Sequence, residues 1–276
     1  MGIPYAEVIG DPIVHSRSPL IHQFWLEKLG LDGDFRAVRV HHNDLPEYIA
    51  KRRQDSDWRG CSATLPHKLH VIDLVDTFTA EAVAVGAVNC VYRSENRLVG
   101  TNTDVDGVNK VFDSRLWRAN RATVVGGGGA ARSVLEALRQ RDTLEVFMIV
   151  REPEEARSLH AAFARSGSVH SFDDVHIALS GSEYVVNATP LGMAGMTEMP
   201  PSILAGLQEV ADHAIVFDMV YDPVETQLLK RARERSLRVV PGLDMLVAQA
   251  RSAFHRFFGV EPPVEYDGAL MNRLTS

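Results

Sequence analysis

Cysteine is nearly absent from this chain of 276 residues, with Cys61 and Cys90 the only two. They form no Cys-x-x-Cys pair, so neither a disulfide framework nor a thiolate metal cluster is implied. An excess of basic charge is also missing: 29 Lys and Arg stand against 36 Asp and Glu, a formal net charge of −7. A general nucleic-acid binder needs a basic surface, so nucleic acid is not an expected partner. No stretch approaches about 18 consecutive apolar residues, and Met1–Glu7 has no charged segment leading into an apolar one. These absences predict a cytoplasmic protein with no membrane partner. Histidines are numerous, but none lies in a His-Glu-x-x-His pattern. His41, His42, His67 and His70 read as surface or loop residues, and no metal is expected. No internal repeat or low-complexity stretch is visible.

What remains is ordinary globular material, 45% hydrophobic and 24% charged, long enough for one large domain or two smaller ones. The first third alternates short strands and helices. Tyr5–Ile9 reads as a strand, and Ser18-Pro19 as a helix start with Ser18 as N-cap and Gly30 as the stop. Phe35–Val40 reads as a strand, and Asn43 as the cap of a helix through Arg53. Gly60–Thr64 is a short strand, and Pro66 opens a helix to about Val75. Ala87–Tyr92 and Arg97–Thr101 form a hairpin around Ser94-Glu95-Asn96. A helix is expected over 104–117.

The clearest unit follows: the buried strand Ala122–Val125, a glycine run, a helix to Arg141 and the strand Glu145–Val150. Further helices at 153–165, 174–179 and 224–235 alternate with strands at 168–171, 183–187 and 214–217. Such alternation predicts an α/β fold, a parallel sheet with helices on both faces. After Val240 the pattern changes to a long amphipathic helix, Asp244–Phe258, and a second over Tyr266–Leu274.

Gly126-x-Gly128-x-x-Ala131 follows a strand and opens a helix, as a dinucleotide fingerprint does. Gly126 permits the tight turn, Gly128 lets the backbone approach a pyrophosphate, and the helix N-terminus holds its charge. The end of the next strand, Val150-Arg151-Glu152-Pro153-Glu154-Glu155, leaves the cofactor open. Arg151 suits the 2′-phosphate of NADP, whereas Glu152, Glu154 and Glu155 suit NAD or merely a helix first turn. Upstream, Lys68 and Asp104 each sit among small polar residues. A lysine–carboxylate pair suits proton transfer to or from an alcohol or ketone. Together these features point to a nicotinamide-dependent alcohol dehydrogenase with a small polar substrate.

Seven motifs, in order, carry a resemblance. They are Ser16-Arg17-Ser18-Pro19, Thr64-Leu65-Pro66-His67-Lys68, Gly86-Ala87-Val88-Asn89, Asn102-Thr103-Asp104, Gly126 to Arg132, Asn187-Ala188-Thr189-Pro190-Leu191-Gly192-Met193, and Pro241 to Gln249. The chain resembles the shikimate dehydrogenase family over nearly its whole length. The resemblance implies two α/β domains with the active site in the cleft between them. Residues 1–104 would be a substrate-binding catalytic domain and 105–240 a Rossmann-type dinucleotide-binding domain. The helices of 241–276 would return to pack on the first. It implies reversible reduction of 3-dehydroshikimate to shikimate, with Lys68 and Asp104 as the catalytic pair. Ser16 and Ser18 would hold the substrate carboxylate. Thr64, Asn89 and Gln249 would bind ring hydroxyls, with Tyr221 lining the same pocket. Asn187, Thr189 and Met219 would lie near the nicotinamide, and Gly126, Gly128, Gly129, Ala130, Arg151 and Gly242 complete the cofactor set. A monomer or homodimer acting on a small molecule is expected.

The chain departs from the family pattern in three places, one of them Cys90, which follows Gly86-Ala87-Val88-Asn89 where the family has threonine. Ser62-Ala63-Thr64 replaces Asn-Val-Thr, and Val150–Glu155 keeps only the arginine of Asn-Arg-Thr-x-x-Arg, so NADP and NAD both stay open. Ser18 favours shikimate, because quinate users of the family often carry threonine there. Quinate or a related polyol is the alternative. A non-catalytic ligand-binding relative would be marked by loss of the lysine or aspartate, and both are present.

Overall fold

A computed structural model describes residues 2–114 and 118–276. The chain forms two compact units, Met1–Gly107 with Val247–Ser276, and Val108–Leu246. The divisions fall inside two continuous helices rather than at 104 and 240, because each helix carries the chain from one unit into the next.

The first unit is built from β1 (Tyr5–Gly10), α1 (Ser18–Leu29), β2 (Asp34–Arg39), α2 (Leu45–Arg53), β3 (Trp58–Ala63), β4 (Thr77–Phe78), α3 (Ala80–Val85), β5 (Cys90–Ser94), β6 (Arg97–Thr101) and the start of α4 (Thr103–Asp113). Its six strands run in the order β2-β1-β3-β5-β6-β4. β1 pairs in parallel with β2 and β3, while β5 is antiparallel to both β3 and β6. The expected hairpin therefore makes this sheet mixed. Side chains of β1 alternate between two cores. Tyr5 and Ile9 join Ile49, Trp58 and Leu98 on one face, and Ala6 and Val8 join Phe35, Ala253 and Phe257 on the other. Glu7 points into the first core and is fully buried. It is satisfied there by Arg52 at 2.7 and 2.8 Å, by Trp58 Nε1 at 3.0 Å and by the Tyr48 hydroxyl. Gly60 lies where β3 bulges against β1. A Cβ there would stand 2.2 Å from the Val91 carbonyl oxygen, so only glycine fits.

The second unit contains β7 (Arg121–Val125), α5 (Gly129–Gln140), β8 (Glu145–Ile149), α6 (Pro153–Phe163), β9 (Val169–His170), α7 (His176–Leu179), β10 (Tyr184–Asn187), α8 (Pro201–Gly206), β11 (Ile215–Asp218), α9 (Gln227–Glu234) and β12 (Arg238–Val240). Its sheet is wholly parallel, in the order β12-β11-β10-β7-β8-β9. The strands wind outward in both directions from the β7–β10 pair, the doubly wound arrangement of dinucleotide-binding folds. Ala122 and Val124 of β7 face one core with α5 and α6, and Val125 faces the other with α7, α8 and α9. α10 (Gly242–Phe258) then leads into the first unit, which ends in α11 (Asp267–Thr275).

Several sequence expectations are corrected. Arg17, not Ser18, is the cap position of α1, and Ser18 is its first residue. Asn43 lies in the 3-10 turn His42–Asp44, and Asp44 precedes α2. Pro66 leads into two short 3-10 turns, His67–Leu69 and Val71–Leu74, instead of a helix. β4, α3, α8 and β12 were not expected: they are two to six residues long, too short for periodicity to register. The expected helix over 104–117 begins at Thr103. Arg115, Leu116 and Trp117 lie outside the described residues. No described helix is long and apolar enough to cross a membrane.

Candidate active site

In the first unit a polar network forms where β3, β6 and α4 end or begin. Asn102 stands just before α4, and its Oδ1 accepts the Asp104 and Val105 N–H groups at 3.1 and 3.3 Å. That is side-chain capping of a helix N-terminus. Its Nδ2 donates to the Ala87 carbonyl at 2.9 Å, tying the helix start to the segment that carries Asn89. The same segment holds the lysine turn, since the Val88 N–H donates to the Lys68 carbonyl at 2.9 Å. Asp104 is therefore clamped at both oxygens. Lys68 Nζ stands 2.5 Å from Oδ2, and Asn89 Nδ2 stands 2.8 Å from Oδ1. Asp104 is buried, whereas the Lys68 side chain keeps 18% of its surface exposed. Part of the Lys68 side chain thus remains reachable, and the Asp104 carboxylate is withdrawn from water.

Asn89 and Gln249 are buried, and Thr103 links them. Its hydroxyl lies 3.2 Å from Asn89 Oδ1 and 3.3 Å from Gln249 Oε1, which brings α10 into the network. Thr64 is half-buried at the end of β3, where its N–H donates to the Ile9 carbonyl at 2.9 Å. Ser16 and Ser18 sit at the entry to α1, with Ser16 Oγ 3.4 Å from the Ser18 N–H. His67 was expected at the surface or in a loop, and it lies in the short turn His67–Leu69. It is fully buried there, with Nε2 2.8 Å from the Val40 carbonyl oxygen, and burial lowers its pKa. The tight turn after Pro66 directs this ring inward while Lys68 stays partly exposed. Thr103 and Asn102, which join the named residues to one another, belong to the Asn102-Thr103-Asp104 motif, but the sequence assigned a role only to Asp104.

In the second unit the glycine turn closes β7. Gly126 has φ +117°, and a Cβ there would meet Thr189 Cγ2 at 2.9 Å and the Ala188 carbonyl oxygen at 3.1 Å. Gly128 is exposed, and a Cβ on it would meet nothing within 4 Å. Among the described residues no side chain caps α5, so its first N–H groups suit an anion, with Gly129 and Ala130 in that first turn. Ala131 is buried against the sheet. A dinucleotide pyrophosphate fits this donor set. Arg151 follows β8 and is exposed, as are Glu152, Glu154 and Glu155. Glu154 is paired with Arg157 at 2.8 Å.

Asn187 ends β10 and Thr189 lies in the turn after it, while Met219 and Tyr221 follow β11. Gly242 opens α10, and a Cβ there would lie 2.5 Å from both the Met219 and Val220 carbonyl oxygens. Its place in the structure is thus a close backbone approach to the Met219 loop. Asp218 was not singled out from sequence. It is fully buried at the end of β11 and accepts from Asn187 Nδ2 at 2.8 Å, the Val220 N–H at 3.0 Å and the Thr226 hydroxyl at 2.6 Å. Burial pushes its carboxyl up to about 6, against the pull of those three donors. The available signal was a carboxylate closing an apolar strand. Among the described residues no group of three or more His, Cys, Asp and Glu is placed to hold a metal.

A doubly wound unit with an uncapped glycine turn, and a separate unit holding a lysine–aspartate pair, define the class of nicotinamide-dependent oxidoreductases. The shikimate dehydrogenase substrate-binding domain matches residues 8–91, and the shikimate 5′-dehydrogenase C-terminal domain matches 242–267. A shikimate dehydrogenase (NADP+) of Sphingopyxis alaskensis is 45% identical over 268 residues, 97% of this chain and 95% of that protein. Among solved structures, the Thermus thermophilus shikimate 5-dehydrogenase in complex with NADP(H) and shikimate superposes with a TM-score of 0.84 at 31% identity. That match covers 99% of this chain and all 100% of that one. The Corynebacterium glutamicum quinate dehydrogenase in complex with NAD gives a TM-score of 0.85 at 26% identity, covering 98% and 99% of the two chains. The chain belongs to the shikimate dehydrogenase family.

Proposed function

We propose that this protein is a shikimate dehydrogenase that interconverts shikimate and 3-dehydroshikimate with NADP(H), using Lys68 and Asp104 as its catalytic pair. The observation that carries the proposal is the clamped pair itself, with Lys68 Nζ 2.5 Å from Asp104 Oδ2 and the opposite oxygen held by Asn89. When bound, the nicotinamide supplies hydride transfer to or from the ring carbon. The protein must then move the accompanying proton and hold the substrate. In the reducing direction the Lys68 ammonium gives a proton to the oxygen that becomes the hydroxyl. In the oxidising direction the lysine takes it back. Asp104 keeps the ammonium aimed and balances its charge, and Asn89 fixes the rotamer of Asp104. A positioned general acid of this kind is worth about 10²- to 10⁴-fold in rate.

Ser16 and Ser18 offer two hydroxyls, two residues apart, to the substrate carboxylate. Thr64, Asn89, Gln249 and Tyr221 are assigned to the ring hydroxyls and their surroundings. For the cofactor, Gly126, Gly128, Gly129 and Ala130 take the pyrophosphate, Asn187, Thr189, Met219 and Gly242 the nicotinamide side, and Arg151 the 2′-phosphate. NADP is preferred over NAD because the curated relative 45% identical to this chain is named for NADP+. Arg151 is the residue here with the chemistry to match, and one of its acidic neighbours is already neutralised by Arg157. We place the enzyme in the cytoplasm, as a monomer or homodimer.

Initial rates of shikimate oxidation, followed at the nicotinamide absorbance band with NADP+ and NAD+ side by side, test the proposal. Faster turnover with NADP+ is expected. Preference for NAD+ would overturn the role of Arg151, and absence of turnover with either cofactor would overturn shikimate as the substrate.

A further inference from the structure

Asp218 is a buried carboxylate with no lysine, arginine or histidine paired to it among the described residues. An apolar residue at the end of β11 would avoid the cost of burying that charge. What the carboxylate provides is three accepted hydrogen bonds, and one of them decides the orientation of Asn187. An ionised carboxylate only accepts, so the Asn187 amide must turn its NH₂ toward Asp218 Oδ1 at 2.8 Å. The same NH₂ reaches the Leu191 carbonyl oxygen at 3.1 Å. The amide oxygen is thereby aimed the other way, where it accepts from the Thr189 N–H at 3.1 Å and the Thr189 hydroxyl at 2.6 Å. The Thr189 hydroxyl oxygen in turn accepts the Leu191 N–H at 3.1 Å, which closes the turn. Thr189 Cγ2 then lies only 2.9 Å from where a Cβ on Gly126 would stand. Asp218, Asn187, Thr189 and Gly126 form one line of contacts across the carboxyl ends of β11, β10 and β7. Two of those strands, β7 and β10, flank the point where the winding of the sheet reverses.

We propose that Asp218 is a positioning residue for dinucleotide binding: by fixing the Asn187 amide it holds the Thr189–Leu191 turn against the Gly126 turn. This rests on the assignment of the second unit to NADP(H). The far side of Asp218 is anchored independently. Thr226 Oγ1 donates to Oδ2 at 2.6 Å while accepting the Leu229 N–H at 3.3 Å, so the start of α9 fixes the carboxylate in turn.

Equilibrium binding of NADP+ and of shikimate, each titrated separately, tests the proposal on wild-type protein, Asp218→Ala and Asp218→Asn. The alanine variant is expected to bind NADP+ at least tenfold more weakly while shikimate affinity stays within twofold, because Ser16, Ser18, Thr64, Asn89 and Gln249, assigned to shikimate, belong to the first unit. The asparagine variant still offers an oxygen to Asn187 and Val220 and an NH₂ to Thr226, so it is expected to recover most of the lost affinity. NADP+ affinity within twofold of wild type in a folded Asp218→Ala overturns the proposal, and so does an equal loss in both variants. If Asp218→Ala does not fold, Thr226→Val takes its place: it removes the donor that anchors Oδ2 and is outside the assigned cofactor set, so a loss of at least threefold in NADP+ affinity is expected and an unchanged affinity overturns the proposal. Failure of the wild-type protein itself to bind NADP+ overturns the cofactor assignment instead, so the two failures are told apart.

Discussion

His22 makes the stability of the first unit depend on pH in a calculable way. The ring lies on α1, fully buried, and stacks on Phe35 at 3.8 Å between centroids with an interplanar angle of 8°. Trp25, Phe254 and Phe257 close around it at 5.7 to 6.0 Å. Among the described residues neither ring nitrogen has a hydrogen-bond partner. Desolvation therefore opposes the charged form, and the pKa falls from 6.5 to about 3. The unfolded chain takes up a proton below pH 6.5 that the folded chain refuses. Stability is accordingly full above that pH and is lost as the pH falls toward 3. At about 1.36 kcal/mol per unit, the loss between pH 7 and pH 5 is about 2 kcal/mol, and over the whole window about 5 kcal/mol. His22→Phe keeps the stacking and removes the titration. Urea unfolding of both proteins at pH 7 and pH 5 should show the difference in their unfolding free energies growing by about 2 kcal/mol in favour of the variant at pH 5. Any pH-independent packing penalty of the larger ring cancels in that comparison. A difference that stays constant between the two pH values would refute the reasoning, and His22→Leu repeats the test if phenylalanine does not fit.

Asp218 should act with the opposite sign. Its carboxyl is raised from 3.8 to about 6, so the folded protein holds a proton the unfolded chain has released, and about 3 kcal/mol of stability is lost as the pH rises through that window. Unfolding curves of Asp218→Asn should lack this component, and an unchanged pH dependence would contradict the burial of a lone carboxylate. Gly60→Ala forces a Cβ to within 2.2 Å of the Val91 carbonyl oxygen at a φ of +154°, and a loss of about 3 kcal/mol in unfolding free energy is expected. Wild-type stability in that variant would show that the bulge can shift without cost.

Much of the second unit was legible because its strands are short apolar runs separated by helices, so period and punctuation agree. The first unit was harder to read. Its strand order depends on β5 of the expected hairpin running antiparallel beside β3, a pairing that local pattern does not encode. Lys68, Asp104 and Asn89 were nameable as residue types in turns and at element ends, whereas Gln249, in the middle of α10, was named only through the family resemblance. Their convergence on one network depends on contacts such as Thr103 to Gln249 that span 146 residues. Histidine and carboxylate burial was the least visible feature. His22 and His67 read as polar yet lie in the interior, and Glu7 is buried because Arg52, 45 residues away, satisfies it. Asp218 was missed for the same reason: its partners Asn187 and Thr226 belong to different elements.

Lys68 is the residue on which the proposed proton transfer depends. The most direct measurement is the rate of 3-dehydroshikimate formation from shikimate and NADP+, with shikimate affinity, for wild-type protein and Lys68→Ala. A turnover lower by about 10²- to 10⁴-fold, with shikimate affinity changed only a few-fold, is predicted. Turnover retained in the variant alongside a large loss of shikimate affinity would contradict the assignment, leaving Lys68 a binding group and the proton transfer to another residue.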